Sequence, residues 1–235
     1  MKFKVLSRLL LVAIGLMSCS GNVEFTEAFK KKTEGKYKYT EDELILVYYE
    51  ENKLKLKWKE GVFEPVVTDT NEFFVADMYK KLRFVTEPGS NNRYLSIVNE
   101  ENQDSISYDY LKVAESYKTP STHLEEGNYE AALTGFLKIK EKDSTSSYIR
   151  EWDFNNKGYR YLRNKEYDKA IEVFKINLTL HPNSSNVYDS LADAYVRSGD
   201  SLNAYINYKE ASKRNSDNRR AREYINAYKP KDSIQ

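Results

Sequence analysis

Residues that could perform nucleophilic catalysis are scarce in this chain of 235 residues. No Ser-x-x-Lys and no Gly-x-Ser-x-Gly motif occurs, so the serines lack the lysine or the glycine turn that would activate them. The only two histidines are His123, in a predicted linker, and His181, directly before a helix-ending proline. Neither is placed to serve as the base of a Ser-His-Asp triad. We therefore expect no catalytic residue and no enzymatic activity.

Residues that could bind a metal ion or a cofactor are also scarce in the sequence. Two histidines and a single cysteine are too few for a convincing zinc site. The acidic run at residues 100–104 has neither the oxygen-ligand spacing nor the glycine of a calcium-binding loop, and is typical of a solvated turn. We expect no metal and no cofactor.

The single cysteine, Cys19, follows a segment with the features of an export signal. Three basic residues among the first eight precede an apolar stretch at 9–16, which is too short to span a bilayer permanently. The Leu-Met-Ser-Cys ending at Cys19 resembles a bacterial lipobox, in which the cysteine starts the mature protein and carries lipid such as palmitate. An exported chain with one cysteine cannot form an internal disulfide, which agrees with lipidation of Cys19. An ordinary cleaved signal beside an unrelated cysteine is the alternative.

Ser20, rather than the aspartate associated with retention in the inner membrane, follows the cysteine. By resemblance to Gram-negative lipoproteins, this implies the outer membrane and leaves its periplasmic or surface face open. The rest of the composition is neutral on location. Lys plus Arg number 37 and Asp plus Glu 36, so no global charge favours a nucleic-acid partner.

The chain repeats itself once with a period of 34 residues, from Phe154 to Tyr188 and onward. Small side chains recur at the same offsets in both copies and allow two helices to pack closely as a hairpin. The first copy contains Phe154, Gly158, Tyr161, Ala170, Phe174 and Pro182, and the second contains Tyr188, Ala192, Tyr195, Ala204, Tyr208 and Ser216. This register is typical of tetratricopeptide repeats, which present a surface to a partner.

The helical pattern predicts helices over 129–142, 152–163, 167–180, 186–198 and 202–213. The first of these is expected to be the second helix of an incomplete repeat. A closing helix over 218–227 should cover the exposed end of the array, with its arginines Arg219, Arg220 and Arg222 in solvent.

The periodicity changes to two between Gly35 and Leu111, which predicts an antiparallel β domain. The strands are expected at 36–39, 44–50, 53–58, 63–67, 72–76, 80–85, 93–98 and 105–110. Such short strands suggest a meander that curls into a sandwich or barrel, with a packed core or a ligand inside. The aromatic residues expected on its inward face are Tyr37, Tyr48, Trp58, Phe74, Phe84 and Tyr94.

The predicted fold class is therefore α+β, with a small antiparallel β-sandwich or barrel-like meander before an array of helical hairpins. The predicted organisation is a signal peptide at 1–18, a tether at 19–34, the β domain at 35–111, a linker at 112–127, the helical domain at 128–230 and a tail at 231–235.

A family resemblance rests on four segments of the repeats: 158–162, 170–177, 182–184 and, above all, 186–195. They resemble the tetratricopeptide tail appended to beta-lactamase-type serine hydrolases and related esterases of Gram-negative bacteria, and Asn177 belongs to that pattern. The β segment resembles, more loosely, the small β domain that follows the catalytic domain in such hydrolases. The catalytic domain itself has no counterpart in this chain.

These observations predict a lipid-anchored, non-catalytic adaptor that binds a protein or peptide of the cell envelope. In this register the first helix of each hairpin supplies the partner-binding residues: Asn155, Tyr159, Arg163, Asp189, Asp193 and Arg197. Their mixed signs argue against a basic clamp for a carboxylate. Two alternatives stay open, a ligand-binding β module with structural helices and an accessory subunit of a separately encoded hydrolase.

We predict that Cys19 is the membrane anchor. Metabolic labelling with a fatty-acid probe should label the wild-type chain, and Cys19→Ala should lose both the label and sedimentation with membranes, because the attachment atom is gone. A Cys19→Ala protein that is still labelled, or that sediments to the same extent, contradicts the assignment.

Overall fold

The computed structural model describes residues 23–228, so Cys19, the predicted signal peptide and the predicted tail lie outside the described residues. The described chain is α+β, with a β module followed by a helical module. The strands are β1 (Gly35–Thr40), β2 (Glu43–Glu50), β3 (Lys53–Trp58), β4 (Gly61–Phe63), β5 (Val66–Val67), β6 (Glu72–Val75), β7 (Lys80–Thr86), β8 (Arg93–Ile97) and β9 (Tyr110–Val113).

All nine strands join one antiparallel sheet in the order β4-β3-β2-β1-β9-β8-β7-β6-β5. Two meanders, β1–β4 and β5–β9, are joined where β1 pairs with β9. The two edge strands are consecutive in the chain, since β4 ends at Phe63 and β5 begins at Val66. Three peptide units span at most about 11 Å, so the two edges of the sheet must approach each other at this point. The sheet is therefore curled into a half-barrel.

A short helix, α1 (Glu27–Thr33), packs against the concave side of the half-barrel. Phe25 lies edge-on to Tyr49, with ring centroids 5.1 Å apart, and Phe29 lies edge-on to Phe84 at 5.8 Å. Helix α1 falls within residues 19–34, which we predicted as a tether. Phe29 is the one large apolar side chain within α1, because Phe25 lies before the helix, and three successive lysines in its last turn hid its amphipathic character.

Packed side chains fill the concave side. Alternation along each strand places Val47, Phe73 and Leu95 inside, and Tyr37 and Phe84 are buried as predicted, with Trp58 partly buried. The same alternation puts three of the six aromatics predicted for the core on the outer face. These are Tyr48, Phe74 and Tyr94, each one residue out of phase with buried neighbours.

The last strand was predicted at 105–110, and the prediction is wrong in position because β9 begins at Tyr110. Side chains replace the strand ladder before that residue. The Ser107 amide donates to Ser96 Oγ at 3.0 Å, and Asp109 Oδ2 accepts from the Ile97 amide at 2.7 Å. The segment therefore lies beside β8 without continuous backbone pairing.

The helical module begins with α2 (Pro120–Glu125), inside the segment predicted as a linker. Thr119 Oγ1 caps it by accepting from the Thr122 amide at 3.1 Å, and Pro120 occupies the first turn. None of the helices in residues 23–228 is long and apolar enough to cross a bilayer. The others are α3 (Tyr129–Lys142), α4 (Glu151–Arg163), α5 (Tyr167–Leu180), α6 (Ser185–Ser198), α7 (Ser201–Arg214) and α8 (Arg219–Ala227).

Small residues permit the close helix packing that the repeat register predicted. A Cβ atom at Gly158 would lie 2.4 Å from the Phe174 ring, so α4 and α5 pack too closely for a larger residue. The buried Asn177 on α5 donates to the Glu151 carbonyl at 3.1 Å and ties α5 to the start of α4. The predicted bounds 129–142 and 167–180 coincide with α3 and α5.

Three consecutive acidic residues join the two modules: Glu41 and Asp42 of the β1–β2 turn and Glu43, the first residue of β2; together we call them the acidic β1–β2 turn. Asp42 Oδ1 accepts from the Ser121 amide at 2.7 Å, at the start of α2. Glu43 accepts from Tyr148 of the helical module, at 3.0 Å. The Glu41 carboxylate lies 3.3 Å from Lys142 Nζ at the end of α3.

We predict that Leu191, buried between helices, stabilises the module through its packing. Leu191→Ala should lower the free energy of unfolding by about 2–5 kcal/mol, because it leaves a cavity among Leu162, Phe174 and Ala194. Leu202→Ala is the matched control. Leu202 is exposed, so its loss should change stability by no more than about 0.5 kcal/mol. Equal shifts in chemical denaturation would contradict the packing register.

Candidate partner-binding surface

The first row of the predicted binding residues lies along α4. The predicted residues Asn155, Tyr159 and Arg163 follow at intervals of four residues on one side of the helix. Trp152, which was not predicted, lies three residues before Asn155 on the same side. Asn155 is buried, and its Oδ1 accepts from Asn177 Nδ2 at 3.4 Å. Trp152 is 69% exposed, the largest exposed fraction of any hydrophobic side chain in the described helical module.

The second row lies along α6, where Asp189, Asp193 and Arg197 are spaced by four residues. Both aspartates are buried, with 6% and 8% of their surface exposed, and Arg197 is exposed. Arg197 Nε donates to Asp193 Oδ1 at 3.2 Å, and this hydrogen bond and charge raise the pKa of Arg197 above its ordinary value.

Arg220 of α8 connects both rows. Its Nε donates to Asp189 Oδ1 at 3.2 Å, and its Nη2 contacts the other carboxylate oxygen. The same Nη2 donates to the Tyr159 hydroxyl at 3.5 Å, and Nη1 lies 3.6 Å from Asp193 Oδ2. Asn218 Nδ2 adds a further donor to Asp189 at 2.9 Å. We define the α4–α6–α8 face as these two rows together with Arg220.

Arg220 corrects the expectation that the arginines of the closing helix are only solvated. Arg219 and Arg222 pair weakly with exposed acids, but Arg220 turns inward onto α6. Asp189 and Asp193 are therefore already paired within the chain, and a partner would meet them as the floor of the surface. The exposed members of the predicted set are Arg163 and Arg197.

The period of 34 residues places three side chains at equivalent positions. Trp152, Asn186 and Arg220 occupy the second position of α4, α6 and α8, respectively. Asn186 Nδ2 reaches back to Glu151 Oε1 at 2.9 Å, and Arg220 reaches back to Asp189. All three residues are exposed, and Trp152 is the large apolar one among them. Sequence reasoning missed Trp152 and Arg220, although their spacing was a usable signal.

Two buried polar atoms of α6 lack a hydrogen-bond donor or acceptor within residues 23–228: Asp193 Oδ2 and Ser190 Oγ. Tyr208 of α7 is buried beside Ala192 of α6. Burial raises its pKa well above the ordinary range, and the Asp193 charge and Tyr159 act in the same direction. The hydroxyl of Tyr208 therefore stays protonated.

A second depression lies between the modules. It is a cleft of about 800 Å³ whose lining includes Glu41, Tyr117, Lys118, His123 and Lys138. Glu41 and Lys118 are already paired, with Lys38 and Glu126 respectively. Burial alone would raise the pKa of Glu41, but hydrogen bonds from Lys38, Lys142 and Tyr117 and the Lys38 charge hold it below its ordinary value.

Both histidines lie at the ends of helices. His181 contacts the Ile149 carbonyl through Nε2 at 2.7 Å, next to the end of α5, and His123 lies in the last turn of α2. Across the described ranges, no three His, Cys, Asp or Glu side chains are grouped so that they could hold a metal ion.

No protein-family model matches the chain, and no curated protein matches it. Among solved structures, it is similar to the first TPR of Spaghetti (RPAP3) bound to an HSP90 peptide, at 16% identity and a TM-score of 0.32 over 46% of this chain and 82% of that one. The type III secretion chaperone SycD of Yersinia enterocolitica, in complex with a YopD peptide, aligns at 16% identity and a TM-score of 0.32 over 46% and 85%. MamA AMB-1 aligns at 26% identity and 0.27 over 40% and 49%. The resemblance of the β segment to the hydrolase-associated domain stays a prediction.

We predict that Arg220 stabilises the closing helix through the two aspartates. Arg220→Ala should lower the free energy of unfolding by about 1–2 kcal/mol, because it removes charge-assisted hydrogen bonds from the buried Asp189. The loss should be smaller than for a fully buried pair, since the Arg220 side chain is 47% exposed. The control is Arg219→Ala, which should change little because Arg219 Nε is 3.7 Å from Glu223 and both side chains are largely exposed. Indistinguishable denaturation midpoints would refute this role.

Proposed function

We propose that this protein is a non-catalytic adaptor that binds a protein or peptide through the α4–α6–α8 face. The observation that carries the proposal is Trp152, a large aromatic side chain left in solvent at one end of a surface otherwise ordered by internal hydrogen bonds. Tryptophan, tyrosine and arginine supply most of the binding free energy at protein interfaces. Trp152, Tyr159 and Arg197 bring these three types together on adjacent helices.

The surface is suited to binding because its supporting residues do not need to rearrange. Tyr159 lies edge-on to the buried Phe174, with centroids 5.4 Å apart, and its hydroxyl accepts from Arg220. Asn155 is buried and hydrogen-bonded to Asn177. Binding of a partner would therefore cost this chain little conformational entropy.

The proposal includes attachment to the bacterial envelope by lipid on Cys19, in the outer membrane. Support comes from the sequence pattern around Cys19, which lies outside the described residues. The proposal that the protein has no catalytic activity also rests mainly on the sequence. The chain has no nucleophile motif, and both histidines lie at helix ends. The packed concave side of the half-barrel makes the small-ligand alternative less favourable.

The test of the proposed function replaces Asn156 with a photo-crosslinking amino acid. Asn156 is exposed and lies one turn from Trp152 on α4, so its replacement leaves Trp152 in place. In cells that produce the lipid-anchored chain, we expect a discrete crosslinked adduct from this position. Trp152→Ala in the same chain should reduce the adduct, because the aromatic anchor is lost.

The matched control is the same crosslinker at Lys175, an exposed position on α5 outside the α4–α6–α8 face. It should give no adduct of the same mass. An adduct of equal yield from both positions, or one that Trp152→Ala leaves unchanged, would overturn the proposed function.

A further inference from the structure

Tyr79, between β6 and β7, is the most exposed large hydrophobic side chain of the described residues, at 81%. It follows a single turn of 3-10 helix, Ala76–Met78, and adopts the left-handed conformation, with φ 49° and ψ 45°. That conformation favours glycine and asparagine and is unfavourable for an aromatic residue. An exposed ring at a backbone position that disfavours it points to a contact outside the fold. The other non-glycine residues with positive φ in residues 23–228 are all polar: Glu51, Asn52, Lys59 and Lys165.

Tyr79 belongs to an apolar patch on the outer face of the half-barrel. Its ring lies edge-on to Phe74, with ring centroids 5.9 Å apart. Phe74 on β6 pairs directly with Val66 on the edge strand β5, which places both side chains on one face of the sheet. Val66 is 62% exposed, and Val62 on the other edge strand, β4, is 57% exposed. We define the edge patch as Val62, Val66, Phe74 and Tyr79. Contiguous exposed apolar side chains of this kind mark an interaction site.

The composition of the edge patch and its rim fits the surface of a lipid bilayer. Tyrosine concentrates at the level of the lipid head groups, because its ring is apolar and its hydroxyl is polar. Lys57 lies opposite Val62, across β3 and β4. Lys81 lies opposite Phe74, across β6 and β7. A lysine stem can lie along an apolar surface while its ammonium group reaches the lipid phosphates.

Charge alone does not provide the attraction. Lys81 is paired with Glu72, and Asp77 beside Tyr79 is exposed, so these acids balance the two lysines of the rim. Apolar contact therefore has to supply most of the binding free energy.

The predicted anchor brings a bilayer to this part of the molecule. Phe25 is fixed in the core of the half-barrel, six residues after Cys19. A bilayer that holds lipid on Cys19 therefore lies next to the β module, within reach of its outer face. A soluble partner has no comparable reason to approach the edge patch.

We propose that the edge patch rests on the lipid bilayer, with Tyr79 at the level of the head groups and Val62 and Val66 against the apolar boundary below them. This inference rests on the part of the proposed function that places lipid on Cys19. It adds to the anchor a contact that turns one side of the β module toward the membrane, and it uses no residue of the α4–α6–α8 face. A second copy of the chain on the edge patch is the competing outcome.

The test of this inference places one environment-sensitive fluorophore on the edge patch. A histidine tag in place of residues 1–19 holds the purified chain on vesicles of phosphatidylethanolamine and phosphatidylglycerol that contain a nickel-chelating lipid. Because Cys19 is the only cysteine, Val66→Cys then carries the single label. We expect its emission to shift to the blue on the vesicles. The matched control is Ile206→Cys on α7, where Ile206 is 47% exposed, and its label should not shift.

A second variant, Tyr79→Asn, separates membrane contact from folding. Asparagine adopts the left-handed conformation more readily than tyrosine, so the variant should unfold at the same denaturant concentration as the unchanged chain or at a higher one. Loss of the ring should still weaken the membrane contact about fivefold, the effect of withdrawing about 40 Å² of apolar surface from the bilayer. The blue shift of the label on Val66→Cys measures this change.

No shift from Val66→Cys, an equal shift from Ile206→Cys, or a shift that Tyr79→Asn leaves unchanged would overturn the inference. Lower stability of Tyr79→Asn also contradicts it, because the fold itself would then require the ring. A shift without vesicles that grows with protein concentration would assign the edge patch to a second copy instead. If crosslinking from position 156 succeeds in those cases, the proposed function stands and only the membrane contact fails.

Discussion

The arrangement of the two modules depends on the acidic β1–β2 turn. Glu41 forms an ion pair with the helical module, and Asp42 and Glu43 each accept a hydrogen bond from it. Burial raises the pKa of Asp42 despite its bonds to Ser121, so holding this carboxylate as a cap on α2 has a desolvation cost. Because the contacts are directional, they set the position of the first hairpin against the sheet more strictly than apolar packing would.

The regular repeat accounts for the surface as well as for the stability of the helical module. At the second position of α6 and of α8, Asn186 and Arg220 bind the first helix of the preceding hairpin. Trp152, at the same position of α4, follows the α2–α3 hairpin and is 69% exposed. The exposed indole therefore occupies a position at which the other two repeats place a polar side chain that binds within the chain.

Much of the helical module could be predicted because its constraints are local. Pro182 after α5 and the Gly158 contact with Phe174 fix helix ends and helix spacing from residue type alone. The strand phase of Tyr48 could not be predicted, because an apolar run from Leu44 to Tyr49 fits either face of the sheet. Arg220 was missed for a related reason: a charged residue near a helix start looks solvated unless the buried aspartate opposite it is known.

The burial of Phe25, just before α1, has a consequence for the proposed lipid anchor. Phe25 is already part of the core of the half-barrel, and only five residues lie between it and Cys19, so six peptide units join the two. Six residues span at most about 20 Å when fully extended. If Cys19 carries lipid, as proposed, a connection of this length would keep the β module close to the membrane surface. Any partner it captures would then be held in the layer of solvent next to the lipid head groups.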